Sequence, residues 1–144
     1  RKLVAVRSLN RLEHLKKCLD ETDPDSTDII VMKANVLTGI GNTQVDSTID
    51  SDAEELFSQV IKLAEKEGKS VIPIVVPTNN VAYAIAHTAA QVGAEEVIIG
   101  TSDKYPAEYQ LQQFALHWGM VQADERHKLL IRSIGTKSEL RVDL

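Results

Sequence analysis

The sequence has 144 residues, 43% of them hydrophobic and only 4% aromatic, so one domain can bury a core built mostly from Val, Ile, Leu and Ala. A net charge of −5 argues against a grip on the nucleic-acid backbone and a polybasic hold on anionic lipid, because both need a basic field. The single cysteine, Cys18, excludes an internal disulfide and a thiolate metal cluster.

The chain opens at Arg1 directly on a β-rich run, residues 3–7. No signal peptide precedes it, and no apolar run is long enough to span a bilayer. A domain excised from a longer protein is the simpler reading of that start. A helix over residues 10–22 then aligns Leu12, Leu15 and Leu19 on one face, with Cys18 packed at the core and His14 on a polar face beside Lys17. A second strand covers residues 28–33. Residues 34–51 are polar and patternless, with Gly39, Gly41, Asn42 and Asp46; they read as a surface excursion, with a partner-binding lid as the alternative.

The second helix, residues 52–68, turns Leu56, Val60, Ile61 and Ala64 inward, capped by Ser51 or Asp52 and stopped by Gly68. After a strand over residues 70–76, a helix over 80–93 points Val81, Ile85, Thr88, Ala89 and Val92 at the sheet. His87 falls on its rim, one turn from Tyr83. A strand over 95–100 leads to a helix over 106–118 with Ala107, Leu111, Phe114, Ala115 and Trp118 inward, which turns His117 outward. The last strand covers residues 128–134, and residues 135–138 end the pattern.

This βαβαβαβαβ order predicts an α/β fold in one domain, residues 1–144: a doubly wound, five-stranded parallel sheet with helices on both faces. Ligands of such sheets sit beyond the carboxyl ends of strands where strand order reverses. The loops there are Arg7, Ser8, Leu9 and Asn10 after the first strand, and Gly100, Thr101, Ser102, Asp103 and Lys104 after the fourth. Both lead into helices, whose N-termini favour an anion. Arg7, Ser8, Gly100, Thr101, Ser102 and Lys104, together with Met32 on the second strand, form the candidate ligand set. The plain alternative makes Gly100 a tight turn and Ser102 or Asp103 a helix cap.

Catalytic patterns are missing. There is no Walker A loop, no dinucleotide glycine run and no Gly-x-Ser-x-Gly elbow. His14, His87, His117 and His127 lack metal spacing, and the pairs Glu54-Glu55 and Glu95-Glu96 do not converge. No nucleophile, base and orienting group occur together, so the chain reads as a binding and assembly module, not an enzyme, with no metal and no cofactor. The last strand has no following helix. As a sheet edge it would offer Leu130, Ile131, Arg132 and Ile134 to a second copy, with Lys128 and Arg132 partly protecting it, and a two-fold dimer through this strand is expected.

The run Val92-Gly93-Ala94-Glu95-Glu96-Val97-Ile98-Ile99-Gly100, taken with the order of elements, resembles the universal stress protein superfamily. That resemblance implies strand order 3-2-1-4-5. A narrower likeness is carried by Leu19-Asp20-Glu21-Thr22-Asp23-Pro24, Asp28-Ile29-Ile30-Val31-Met32-Lys33, the Val75-Val76-Pro77-Thr78-Asn79 core and Ile99-Gly100-Thr101-Ser102-Asp103-Lys104. These segments resemble the cytosolic C-terminal domain of amino acid–polyamine–organocation permeases. They imply a regulatory and dimerisation domain at the cytoplasmic face of the membrane, with a transmembrane permease portion as partner in the same chain.

Nucleotide-binding members of the superfamily carry Gly-x-x-Gly, nine residues, then Gly-Ser or Gly-Thr. Here Gly100 matches the first glycine, Asp103 replaces the second, and Gln113 and Phe114 fall where the final pair belongs. Those members also place an aspartate near the end of strand one, where this chain has Arg7-Ser8. The resemblance therefore implies a module that does not bind ATP in the usual way. The alternative is a free-standing universal stress protein that binds an adenine nucleotide or another small anion.

Overall fold

A computed structural model describes residues 1–7, 11–23, 25–36, 47–102, 105–121, 124–135 and 138–144, with the side chains of 36 and 47–53 outside the description. The elements run β1 (Lys2–Val6), α1 (Glu13–Glu21), β2 (Ile29–Val36), α2 (Ser47–Lys66), β3 (Ile72–Thr78), α3 (Val81–Val92), β4 (Glu96–Gly100), α4 (Ala107–Met120), β5 (Leu130–Ile134) and β6 (Glu139–Asp143). They form one sheet of order β3-β2-β1-β4-β5-β6. The first five strands are parallel and β6 runs antiparallel to β5.

The Val- and Ile-rich strands follow from burial on both faces of the sheet. Successive residues alternate sides. Leu3, Val97 and Ile99 join Met32, Ala89, Phe114 and Trp118 in the core against α3 and α4. Val4, Val31 and Ile98 face the opposite core with Leu15, Leu19, Leu56 and Val60 from α1 and α2. Cys18 is fully buried there, and burial pushes its thiol up from the ordinary value; it is a packing residue.

Helix ends follow their local chemistry. The Asn80 side chain accepts from the Tyr83 amide at 3.2 Å and starts α3. Gly93 stops it in the left-handed region at φ 65°, a conformation that costs a side-chain-bearing residue more. The Ala94 amide then reaches back to the Ala89 carbonyl at 2.9 Å.

Several boundaries differ from the sequence expectation. β2 continues to Val36 and α2 begins at Ser47, so both elements intrude on residues 34–51. The predicted excursion or lid shrinks to residues 37–46, which lie outside the described residues. Ile61 and Val81, expected inward, are 39% and 43% exposed.

The larger correction concerns the sheet edge. β5 is not an edge strand, because β6 covers it with the pairs Ile131↔Val142, Arg132↔Arg141 and Ile134↔Glu139. Ile131, Arg132 and Ile134 are buried and Leu130 is half-buried, so none of these four offers a surface to a second copy. Leu140 and Val142 pack on the α3–α4 core, which leaves Glu139, Arg141 and Asp143 on the α1 side of the sheet.

Arg132, expected as an exposed edge charge, is 2% exposed. Its Nη1 donates to Glu21 at 2.7 Å and to Glu96 at 2.8 Å, and its Nε donates to Glu139 at 2.8 Å. Lys2 meets Glu96 at 3.2 Å and donates to Thr22 at 2.9 Å. Lys17 approaches Glu139 at 3.6 Å. Arg132 and Arg141 stand directly opposite each other across the β5–β6 ladder, a like-charge pairing that would push the strands apart. Glu139 sits between them and accepts from Arg141 Nε at 3.0 Å through its second oxygen.

Candidate functional site

β1 and β4 are neighbours only at their beginnings. Their pairing ends at Val4↔Ile98, although β1 runs on to Val6 and β4 to Gly100. Beyond that point the chain from β1 turns to α1 on one face of the sheet, and the chain from β4 turns to α4 on the other. The chain beyond these strand ends marks the place where strand order reverses, where ligands of such sheets sit in a crevice.

Arg7 is exposed at the end of β1. Opposite it, Gly100 and Ser102 are half-buried and Thr101 is exposed. Arg11, from the segment leading into α1, reaches across and donates through Nη1 to the Thr101 carbonyl at 3.4 Å. Ser102 Oγ accepts from the Tyr105 amide at 3.3 Å, a capping contact just ahead of α4. The rings of Tyr105 and Tyr109 stack at 5.1 Å and are exposed beside this turn. Gly135, at the end of β5, closes the far side: a Cβ built there would lie 2.8 Å from Thr101 Cγ2.

His14 forms the floor. Sequence periodicity puts it on the polar face with Lys17, but it is only 3% exposed. Its Nε2–H donates to the Ala5 carbonyl at 2.7 Å, in the stretch where β1 has left β4. The ring lies against Gly100; a Cβ at that glycine would come within 3.0 Å of Nδ1. The missing side chain at 100 is what lets an imidazole tuck under the strand end. Burial holds the His14 pKa below the ordinary value, against the smaller opposing effects of the Ala5 hydrogen bond and the Glu13 charge.

Of the residues expected to bind a ligand, Gly100, Thr101 and Ser102 make the turn after β4 and Arg7 is exposed at the end of β1. Ser8 and Lys104 lie outside the described residues. Met32 is corrected: it is fully buried in the core against α3 and α4, because its place on β2 has the same parity as the inward Ile30. Phe114, at the position of the family's final glycine pair, is buried within α4 and stacks on Trp118 at 6.2 Å. Arg11, His14 and Gly135 were missed. Arg11 and His14 lie one and four residues past the first switch loop, so their proximity was the available signal; Gly135 gave none.

Elsewhere, His87 stacks on Tyr83 with ring centroids 4.1 Å apart, as its one-turn spacing suggested. His117, expected outward, is half-buried, with Nε2 3.4 Å from Asn80 Nδ2. Among the described residues no three His, Cys, Asp or Glu side chains are grouped to hold a metal ion. A groove of about 400 Å³ lies between α1 and α2, lined by Leu12, Lys16, Gln59, Lys62, Leu63 and Lys66. It shares no residue with the crevice.

No family model matches the sequence, and no curated protein matches it. Solved structures do. A universal stress protein from Archaeoglobus fulgidus is 22% identical, with 80% of this chain and 90% of that chain aligned at a TM-score of 0.59. The universal stress protein from the same organism in complex with dAMP matches at the same identity and TM-score over 80% and 88% of the two chains. A universal stress protein in complex with cAMP is 12% identical, over 94% of this chain and 98% of that one, at a TM-score of 0.64. The chain has the universal stress protein fold, with a sixth strand added to the order 3-2-1-4-5.

Proposed function

We propose that this chain binds an adenine nucleotide carrying a single phosphate in the crevice between the ends of β1 and β4. The observation that carries the reading is the reach of Arg11 to the Thr101 carbonyl at 3.4 Å, at the point where β1 and β4 cease to pair, with Arg7 exposed at the end of β1. Two guanidinium groups suit one phosphate, which they can meet through parallel N–H donors. A triphosphate suits the turn less well. Asp103 stands where the nucleotide-binding pattern needs bare backbone, and Phe114 is committed to the core. Two structures of the same fold support the choice, since their ligands are dAMP and cAMP, each with one phosphate.

This reading replaces the permease domain as the preferred function. What favours it is that two solved structures of the same fold are complexes with dAMP and cAMP. Titration calorimetry tests it. AMP and cAMP should bind with Kd below about 100 μM, near −5.5 kcal/mol, and ATP more weakly. Absence of heat for all three would end the nucleotide reading.

Assembly into a dimer remains part of the proposal, with its edge moved. β5 is enclosed, and β3 carries Pro73 and Pro77, each lacking an amide donor. Two copies would therefore pair through β6. Light scattering should give twice the chain mass, falling to the monomer value for Arg141→Pro; a dimer indifferent to that change rules this edge out.

A further inference from the structure

We propose, resting on the nucleotide reading above, that His14 takes up a proton when a phosphate settles in the crevice, so that the nucleotide binds more tightly as pH falls.

The geometry fixes which nitrogen can do this. Nε2 donates to the Ala5 carbonyl at 2.7 Å, and a carbonyl oxygen can only accept, so Nε2 carries the hydrogen in the neutral ring. Nδ1 is then the bare nitrogen, and it is the ring atom turned to Gly100, 3.0 Å from where a Cβ would stand. Gly100 begins the turn whose backbone faces the crevice. A phosphate seated on that turn places negative charge next to Nδ1, with no side chain at position 100 to separate them.

Burial disfavours the proton. The ring is 3% exposed, and removing it from water penalises the charged form, which lowers its pKa. The one neighbouring charge that registers on the ring, Glu13, favours the proton and is outweighed by burial. From β1 and the segment before α1 come Arg7 and Arg11, both cationic. On α1 itself, Glu13 favours the proton, and Lys17 lies 3.6 Å from Glu139. β4 contributes Glu96, already held by Lys2 and Arg132; β5 contributes the cation Arg132, held by three carboxylates. From β6 comes Glu139, shared by Arg132 and Arg141. Asp103 and Lys104 lie outside the described residues. A bound phosphate supplies the negative charge an imidazolium lacks, so the ring's pKa rises on binding. By linkage, binding draws in up to about one proton, and affinity changes by at most about tenfold per pH unit between the two pKa values.

The probe should be cAMP, because its phosphodiester does not titrate near neutrality, whereas a phosphomonoester has a second pKa near 6 and would take up protons itself. Calorimetry at pH 6 in two buffers of different ionisation enthalpy counts the protons. The expected result is uptake of a measurable fraction of one proton, a Kd several-fold lower at pH 5.5 than at pH 7.5, and loss of both in His14→Gln. Proton NMR of the His14 ring in the wild-type protein gives a second reading that needs no variant: its midpoint should move up in pH when cAMP is added. Binding without proton uptake, uptake that survives in His14→Gln, or an unmoved His14 midpoint overturns the proposal while leaving nucleotide binding intact. No binding of cAMP, AMP or ATP overturns the nucleotide reading and this inference with it.

Discussion

Arg132→Ala should lower the unfolding free energy by about 3–5 kcal/mol. For a domain of this size that is a fall in Tm of roughly 10 °C or more. The guanidinium is 2% exposed and donates to Glu21, Glu96 and Glu139. Burial works against its charge, but the three carboxylates outweigh burial and hold it firmly protonated. Deleting it strands acids that were brought together only because a cation lies between them. A half-buried carboxylate with no partner must then either protonate or drag water into the sheet. The penalty belongs to the orphaned acids and is no measure of what the intact cluster adds, since a well-packed apolar replacement of all members can be neutral.

The pH dependence carries the same signature. The Arg132 hydrogen bonds hold Glu21 below the ordinary carboxylate range, and Glu139 is likewise lowered by Arg132 and Arg141 despite its desolvation. Folded pKa values below the unfolded ones mean that this stability is fully present above about pH 4.3. It is lost as pH falls through the lowered values. Urea unfolding of the wild-type protein should therefore show stability dropping steeply below that point, and Arg132→Ala should flatten the slope. A variant within about 1 kcal/mol of wild type at pH 7 would show that the cluster is solvated and weak.

Arg11→Glu should weaken cAMP binding by about a hundredfold, near 2.7 kcal/mol, with little change in Tm. Arg11 is half-buried and spans the crevice to the Thr101 carbonyl. Its loss removes a charge-assisted donor from the ligand, and the reversed charge then repels the phosphate at short range. Because the effect is electrostatic and partly solvent-exposed, raising ionic strength should narrow the gap between variant and wild type. Calorimetry at low and high salt checks both statements. An unaltered Kd would move the phosphate away from this side of the turn.

The parallel framework was legible because its signal is local. A strand buried on both faces must be apolar at nearly every position, as in Val97-Ile98-Ile99, and the helices between announce their inward stripes every third or fourth residue. The sixth strand was not legible. Glu139-Leu140-Arg141-Val142-Asp143 has the alternation of a one-sided strand, but five residues with three charges look the same as a solvated tail until β5 supplies the ladder. Arg132 was misjudged for a related reason: its partners lie 111, 36 and 7 positions away, and no window of sequence contains them. His14 was misjudged because a helix has two flanks beside its apolar stripe, and only the glycine at 100 decides which of them is roofed. Arg7 and the Gly100–Ser102 turn were placed at the end of β1 and just after β4 from the order of elements alone, since the strands announce themselves locally.

The prolines at 73 and 77 give the sheet a direction. Proline is tolerated in a strand only where one side is left unbonded, and β3 has such a side. An intruding segment from any other molecule finds that flank poorly supplied with hydrogens to share and must come instead to the opposite margin. The domain can thus be extended like a zip from its last strand alone, and a tandem or fused neighbour that contributed a strand would have one docking line to choose.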